Sequence, residues 1–260
     1  MKIAVFVKHV PDTSEADLAV AADGLSIKEA GLPFQMNEWD RFALEEAVRL
    51  KDASGGTLTA YLLGPEEHEE SLRRCLAVGA DRAVRVWDEA FKGGGPALAA
   101  AVLHKALKGA TYDLCLFGAQ ASDDGYGMVG PALAEGLGFP CVTLVNGLTL
   151  LDGRLKVIRE LEGGFGEAVE VTLPAVVTIQ TGINEPRYVS ILGIKKARAK
   201  PIDLEDAGTL GLDLSLLSGC VGKLTLEELL TPAEGKQAEL WGGSMEEIAS
   251  RFVAAVGGAK

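Results

Sequence analysis

Cysteine and histidine are scarce in this 260-residue chain, with only four cysteines (Cys75, Cys115, Cys141 and Cys220) and three histidines (His9, His68 and His104). No cysteines form a C-x-x-C pair, and no two histidines share metal-ligand spacing on one helix or strand. A disulfide framework and a structural zinc site are therefore not expected, which fits a reducing compartment. Cys115 and Cys141 fall in apolar strand-like runs, where cysteine acts as a small hydrophobe. Long hydrophobic runs are also lacking: stretches such as Ile3–Val7 fall far short of the roughly 20 residues that cross a bilayer. The opening Met1-Lys2-Ile3 does not lead from a charged region into a long apolar stretch, so the expectation is a cytoplasmic protein without export. Positive charge is the third shortage, with 25 Lys and Arg against 37 Asp and Glu and a net charge of −12. Nucleic-acid binders neutralise phosphate with clustered Lys and Arg. The one basic stretch, Lys195–Lys200, is too short for that role, and no nucleic-acid partner is expected.

What is present is ordinary globular material, 48% hydrophobic and 24% charged, enough for a sizeable core. Lys2–Lys8 reads as a buried parallel strand ended by Pro11-Asp12, and residues 13–36 read as irregular. Asn37 suits a helix N-cap before Arg41–Lys51. Strands at Thr57–Leu63, Arg82–Trp87, Leu114–Phe117 and Val142–Val145 alternate with helices at Glu66–Val78, Ala97–Leu107 and Met128–Leu137. Strands separated by helices of this length imply βαβ units, hence an α/β fold: a doubly wound, mainly parallel sheet with helices on both faces. Beyond Asn146 the pattern changes. Leu155–Leu161 and Ala168–Leu173 read as a β-hairpin around a loose loop at Glu162–Glu167, and Ala175–Gln180 as a further strand. From 201 onward apolar residues thin out until an amphipathic helix at Met245–Val256. The division expected is an α/β domain over 1–200 and an extension over 201–260 that packs on a partner.

Two segments could carry function. The loop Gly118-Ala119-Gln120-Ala121-Ser122-Asp123-Asp124-Gly125-Tyr126-Gly127 leaves a strand and opens a helix, where free backbone N–H groups and the helix dipole favour an anion such as phosphate. It carries no lysine and no P-loop motif, so residue pattern alone leaves nucleotide site and plain connection equally open. Asp123 and Asp124 read as caps and loop acceptors rather than an acid–base pair, and His9 as structural or solvent-facing. The second segment, Leu173–Ile202, sets Val189, Ile191, Leu192 and Ile194 between a turn at Asn184-Glu185-Pro186 and the basic run. That composition suits either a core-packed stretch or an apolar anchor with a charged rim.

Several separated motifs lie in order along the chain: Val7-Lys8-His9-Val10-Pro11-Asp12-Thr13, Met36-Asn37 with Ala43–Lys51, Gly79-Ala80-Asp81-Arg82, Val157-x-Arg159-Glu160, Leu173-Pro174-Ala175-Val176, Asn184-Glu185-Pro186-Arg187-Tyr188 and Lys196-Ala197-x-Ala199-Lys200-Pro201-Ile202. Together they resemble the β subunit of electron transfer flavoproteins over essentially the whole chain. The resemblance implies a heterodimer whose α subunit holds most of a redox-active FAD, while the β subunit carries AMP or, in electron-bifurcating members, a second FAD. By position it places nucleotide contacts on Phe6, on Asn37, Glu38, Trp39 and Asp40, on Ala60 and Leu63, and on Gly118 to Val129, Met128 included. Family members usually have Thr, Asn or Gln where this chain has Tyr126, Gly127, Met128 and Val129, so phosphate would rely on backbone N–H groups. Val129-Gly130-Pro131 is more like the bifurcating branch.

The resemblance also makes residues about 184–200 a recognition loop for flavin-dependent dehydrogenases such as acyl-CoA dehydrogenases. Its anchor falls on Ile191, beside Leu192, and a membrane quinone oxidoreductase is the implied acceptor. The expected function is an electron-carrier subunit with no catalytic residues of its own. Alternatives are a stand-alone ATP-binding or nucleotide-hydrolysing domain, and a scaffold with a dead nucleotide site.

Overall fold

The computed structural model describes residues 1–14, 16, 18–213, 226–232, 235 and 238–257. Parallel strands form its centre: β1 (Lys2–Val7), β4 (Thr57–Leu63), β5 (Arg82–Val86), β6 (Leu114–Gly118) and β10 (Ala175–Ile179). With β7 (Cys141–Leu151), β8 (Arg154–Leu161), β9 (Phe165–Thr172) and β11 (Asp203–Glu205), the sheet among the described residues has nine strands in the order β11-β5-β4-β1-β6-β10-β7-β8-β9. The chain first moves outward from β1 through α1 (Glu38–Ser54) to β4 and through α2 (Glu69–Val78) to β5. It then crosses back over β1 by α3 (Pro96–Ala106) to β6 and leaves through α4 (Val129–Leu137). Crossovers keep one hand, so reversing the direction of travel moves the helices to the other face. Two cores result. Ile3, Val5, Leu58 and Leu116 pack with α1 and α2, whereas Ala4, Phe6, Tyr61 and Phe117 pack with α3 and α4. Alternate residues of one buried strand thus serve opposite faces, which is why these strands read as continuous apolar runs.

Several local expectations change. The helix expected from Glu66 begins instead as a 3₁₀ turn at Glu66–His68. Within 13–36, Phe34–Met36 forms β3, antiparallel to β2 at His9–Pro11. The strand expected at Val142–Val145 is β7, Cys141–Leu151, parallel to β10 at one end and antiparallel to β8 (Arg154–Leu161) at the other. Cys141 at its start is exposed, not a buried hydrophobe. The hairpin of β8 and β9 (Phe165–Thr172) turns tightly at Glu162–Gly164, with Leu161 directly opposite Phe165.

The segment expected to be a recognition loop is helical over its second half: α5 spans Ile191–Ala199, capped by Ser190, whose Oγ accepts from the Gly193 N–H at 3.0 Å. Past residue 200 the sheet continues, because β11 (Asp203–Glu205) pairs with β5. The final helix α6 (Met245–Gly257) buries none of its residues and exposes Phe252, Val253 and Val256. Much of the stretch expected to lack periodicity at 201–243, Cys220 included, lies outside the described residues. No helix among the described residues is long and apolar enough to cross a membrane.

Candidate functional site

The strand order reverses between β1 and β6, and the carboxyl ends of strands flanking such a reversal leave a crevice between the loops that follow them. Here it is a cleft of about 410 Å³. Its floor is aromatic: Phe6 stacks on Phe117 with ring centroids 4.2 Å apart and on Tyr61 at 5.4 Å. Trp87 and Phe91 line it from beyond β5. Two glycine-containing loops form its rim, each opening a helix: Gly93-Gly94-Gly95-Pro96 before α3, and Tyr126-Gly127-Met128 before α4. Two helix N-termini therefore border one cleft, and both favour negative charge.

The helix α1 fixes this arrangement through two polar residues. Asp40, buried in its first turn, accepts a hydrogen bond from the Lys8 N–H at 2.7 Å and one from the Gly118 N–H at 3.1 Å. One carboxylate thus ties the end of β1 to the end of β6 across the crevice. Gly118 leaves room for this, since a Cβ there would lie 2.6 Å from the Trp39 Cβ. Asn37 makes no side-chain cap to its helix. Its amide instead donates to the Gln120 carbonyl at 2.8 Å and accepts from the Ser122 N–H at 3.1 Å, holding the glycine loop by its backbone.

Burial pushes the Asp40 carboxyl up to about 7, outweighing the N–H donors of Lys8 and Gly118, the Asn37 amide and the Lys8 charge. A raised folded-state pKa means the folded chain holds a proton that the unfolded chain has released. The stability Asp40 contributes is complete below its ordinary value of 3.8 and is lost as pH rises towards about 7. Asp40→Asn, which cannot ionise, is expected to flatten the fall in urea midpoint between pH 4 and 7. Unchanged slopes in the two proteins would contradict this.

The charge at the loop comes from elsewhere in the chain. Lys8 Nζ lies 2.7 Å from Asp123 and 2.8 Å from Asp124. Burial works against the ammonium, yet its hydrogen bonds to the two carboxylates leave the Lys8 pKa raised, so it stays charged. Inspection of the loop alone misses this lysine. Its signal is its place at the carboxyl end of the first strand, where ligands of such sheets bind. The Gly93–Pro96 loop is likewise missed, although glycines before a helix are the same signal already read at 118–127.

Of the positions singled out in the sequence, the cleft is lined by Phe6, Asn37, Asp40, Leu63, Gly118, Ala119, Gln120, Ala121, Asp124, Tyr126, Gly127, Met128 and Val129. The others stand behind or beside it. Ala60 packs in the core on the α1–α2 face, Glu38 is exposed, and Trp39 Nε1 donates to Gln180 Oε1 at 2.8 Å. Ser122 is held by Asn37 and Asp123 by Lys8. Gly125 turns the loop at φ 65°, its N–H donating to the Ala121 carbonyl at 2.9 Å. His9 is buried: its Nδ1 lies 2.9 Å from Ser71 Oγ and its ring is tilted against His68 at 4.8 Å. Among the described residues no three His, Cys, Asp or Glu side chains form a metal-binding group.

The second segment runs from β10 to α5, and no residue of α5 lines the cleft. Ile191 is 87% exposed, with Leu192 and Tyr188 also exposed. The segment divides: β10 is core, whereas Ile191, Leu192 and Ile194 lie on the surface and only Ala197 of the helix is buried.

A doubly wound α/β domain with a glycine-rimmed crevice at its reversal point defines a broad class of proteins, and comparison narrows it. The electron transfer flavoprotein domain matches residues 24–209. The chain is 37% identical over 257 residues to the electron transfer flavoprotein subunit beta of Methylophilus methylotrophus, covering 97% of each chain. It is 37% identical over 218 residues to that of Bos taurus, covering 83% of this chain and 85% of the other. With the caffeyl-CoA reductase-Etf complex subunit CarD of Acetobacterium woodii it shares 34% identity over 256 residues, 97% of each. The chain belongs to the electron transfer flavoprotein family, as a β subunit.

Proposed function

We propose that this chain holds one AMP in the cleft between β1 and β6 and joins an α subunit that carries most of a redox-active FAD. The flavin supplies the electron chemistry, and the chain positions and docks. The carrying observation is the cleft itself, an aromatic floor for a purine beneath two glycine loops that each open a helix. Its charge inventory disfavours a triphosphate. One lysine, shared with Asp123 and Asp124, accompanies the two helix ends, and a triphosphate would bring more negative charge than this set offsets. The same inventory argues against the ATP-hydrolysing alternative.

The apolar residues exposed on α6, together with Phe165 at the tip of the β8–β9 hairpin, support a partner subunit. Ile191 and Leu192 on α5 are proposed to dock flavin-dependent dehydrogenases, with a membrane quinone oxidoreductase as acceptor. The name of the CarD relative, which pairs an Etf subunit with a CoA-ester reductase, supports enzymes acting on CoA esters, acyl-CoA dehydrogenases among them, as the class of redox partner. Co-purification with the α subunit and identification of the small molecules released on denaturation tests the reading. AMP with FAD supports it, and a colourless lone chain that turns over ATP opposes it.

A further inference from the structure

The docking helix α5 is an exposed element of nine residues, too short to hold its own shape or direction in water. The helix body is fixed to α2, where Arg73 Nη1 donates to the Ala197 carbonyl at 3.1 Å and Gly193 sits close against the Ala77 carbonyl. Its approach is fixed to α1. Glu45, almost wholly buried, accepts three hydrogen bonds from Arg187: from the backbone N–H at 3.0 Å, from Nε at 2.9 Å and from Nη2 at 3.0 Å. Arg49 Nε donates to the same carboxylate at 3.1 Å, and Arg187 Nη1 lies 3.7 Å from Asp52. One turn of chain earlier, Asn184 Nδ2 donates to Glu46 at 3.0 Å and to the Phe42 carbonyl at 3.1 Å. Burial pushes the Glu45 carboxyl up, but the Arg187 hydrogen bonds and charge outweigh it and hold the pKa below the ordinary value.

We infer that Glu45 and Arg187 form a clamp that positions Ile191 for docking, making Glu45 a positioning residue for electron transfer although it touches no partner itself. The inference rests on the docking role proposed for Ile191. The argument is geometric. The fork of Arg187 meets both carboxylate oxygens, and its backbone N–H meets one of them as well, so the main chain entering Tyr188–Ile191 is fixed in position and direction. Few other contacts restrain the segment between this clamp and the Ser190 cap, since Tyr188 is 98% exposed. Releasing the clamp frees the chain between Arg187 and Gly193, which carries Ile191 and Leu192, and docking must then order it again.

The test uses the purified heterodimer with an acyl-CoA dehydrogenase reduced by its acyl-CoA, following the rate of flavin reduction against dehydrogenase concentration. Glu45→Gln places an NH₂ group where a carboxylate oxygen received Arg187 Nη2 and Arg49 Nε, turning two hydrogen bonds into donor–donor contacts. Arg187→Gln breaks the same clamp from its partly exposed side and serves if the buried substitution fails to fold. Either variant is expected to raise the half-saturating dehydrogenase concentration about fivefold or more, with maximal rate and nucleotide content unchanged. The double variant is expected to be no worse than the worse single, because both remove one interaction. If both variants dock as well as wild type while Ile191→Ala is impaired, the clamp is refuted and the docking role stands. If Ile191→Ala is also silent, the docking role itself fails and the clamp fails with it.

Discussion

Gly127→Val should strip AMP from the complex, weakening its binding about tenfold or more while leaving the heterodimer assembled. Gly127 sits at φ 60°, in the left-handed region that β-branched residues avoid. A Cβ there would also lie 3.1 Å from the Ala119 carbonyl oxygen, in the wall of the same cleft. Valine must therefore either distort the loop before α4 or push into the space the phosphate needs. The effect is expected to be local, because Asp40 and Asn37 hold the crevice and the loop through Lys8, Gly118, Gln120 and Ser122. Ligand content after gel filtration measures the loss, with circular dichroism as the control for folding. Unchanged AMP content would remove this loop from the site.

Ile191→Ala is the second large effect. Burying an isoleucine in a partner's pocket is worth roughly 1.5–3 kcal/mol, and about 1.4 kcal/mol makes a decade in affinity. The side chain is 87% exposed in the free chain, so truncation takes almost nothing from the core. The half-saturating concentration of an acyl-CoA dehydrogenase should rise about tenfold, with normal flavin spectra and an unchanged unfolding midpoint. A variant that transfers electrons as well as wild type, or one that unfolds, contradicts the docking role.

The parallel half of the sheet is legible because β1, β4 and β6 are buried on both faces and read as uninterrupted apolar runs. The reversal at β1 is not legible, since nothing local tells β6 to pair with β1 rather than with β5. Nor is the insertion of β10 between β6 and β7, which brings together strands separated by the whole β8–β9 hairpin. The helix at Ile191–Ala199 escapes periodicity because only Ala197 is buried, leaving no apolar stripe to read. At the site, the glycine loop is legible and its lysine is not. Lys8 meets Asp123 across 115 positions, and only the fold brings that pair together. Asn37 illustrates a different failure. Its residue type and place suit a cap, but its amide is used on the neighbouring loop, so the local rule yields to a tertiary contact.

The central claim is that the crevice between β1 and β6 holds a single adenine monophosphate. The direct measurement is a molar count of the nucleotides released by denaturing the purified heterodimer, by mass spectrometry against isotope-labelled AMP and FAD. The expected result is one AMP and one FAD per heterodimer, with AMP lost and FAD kept in the Gly127→Val complex. Two FAD per heterodimer, or one FAD with no AMP, would contradict it.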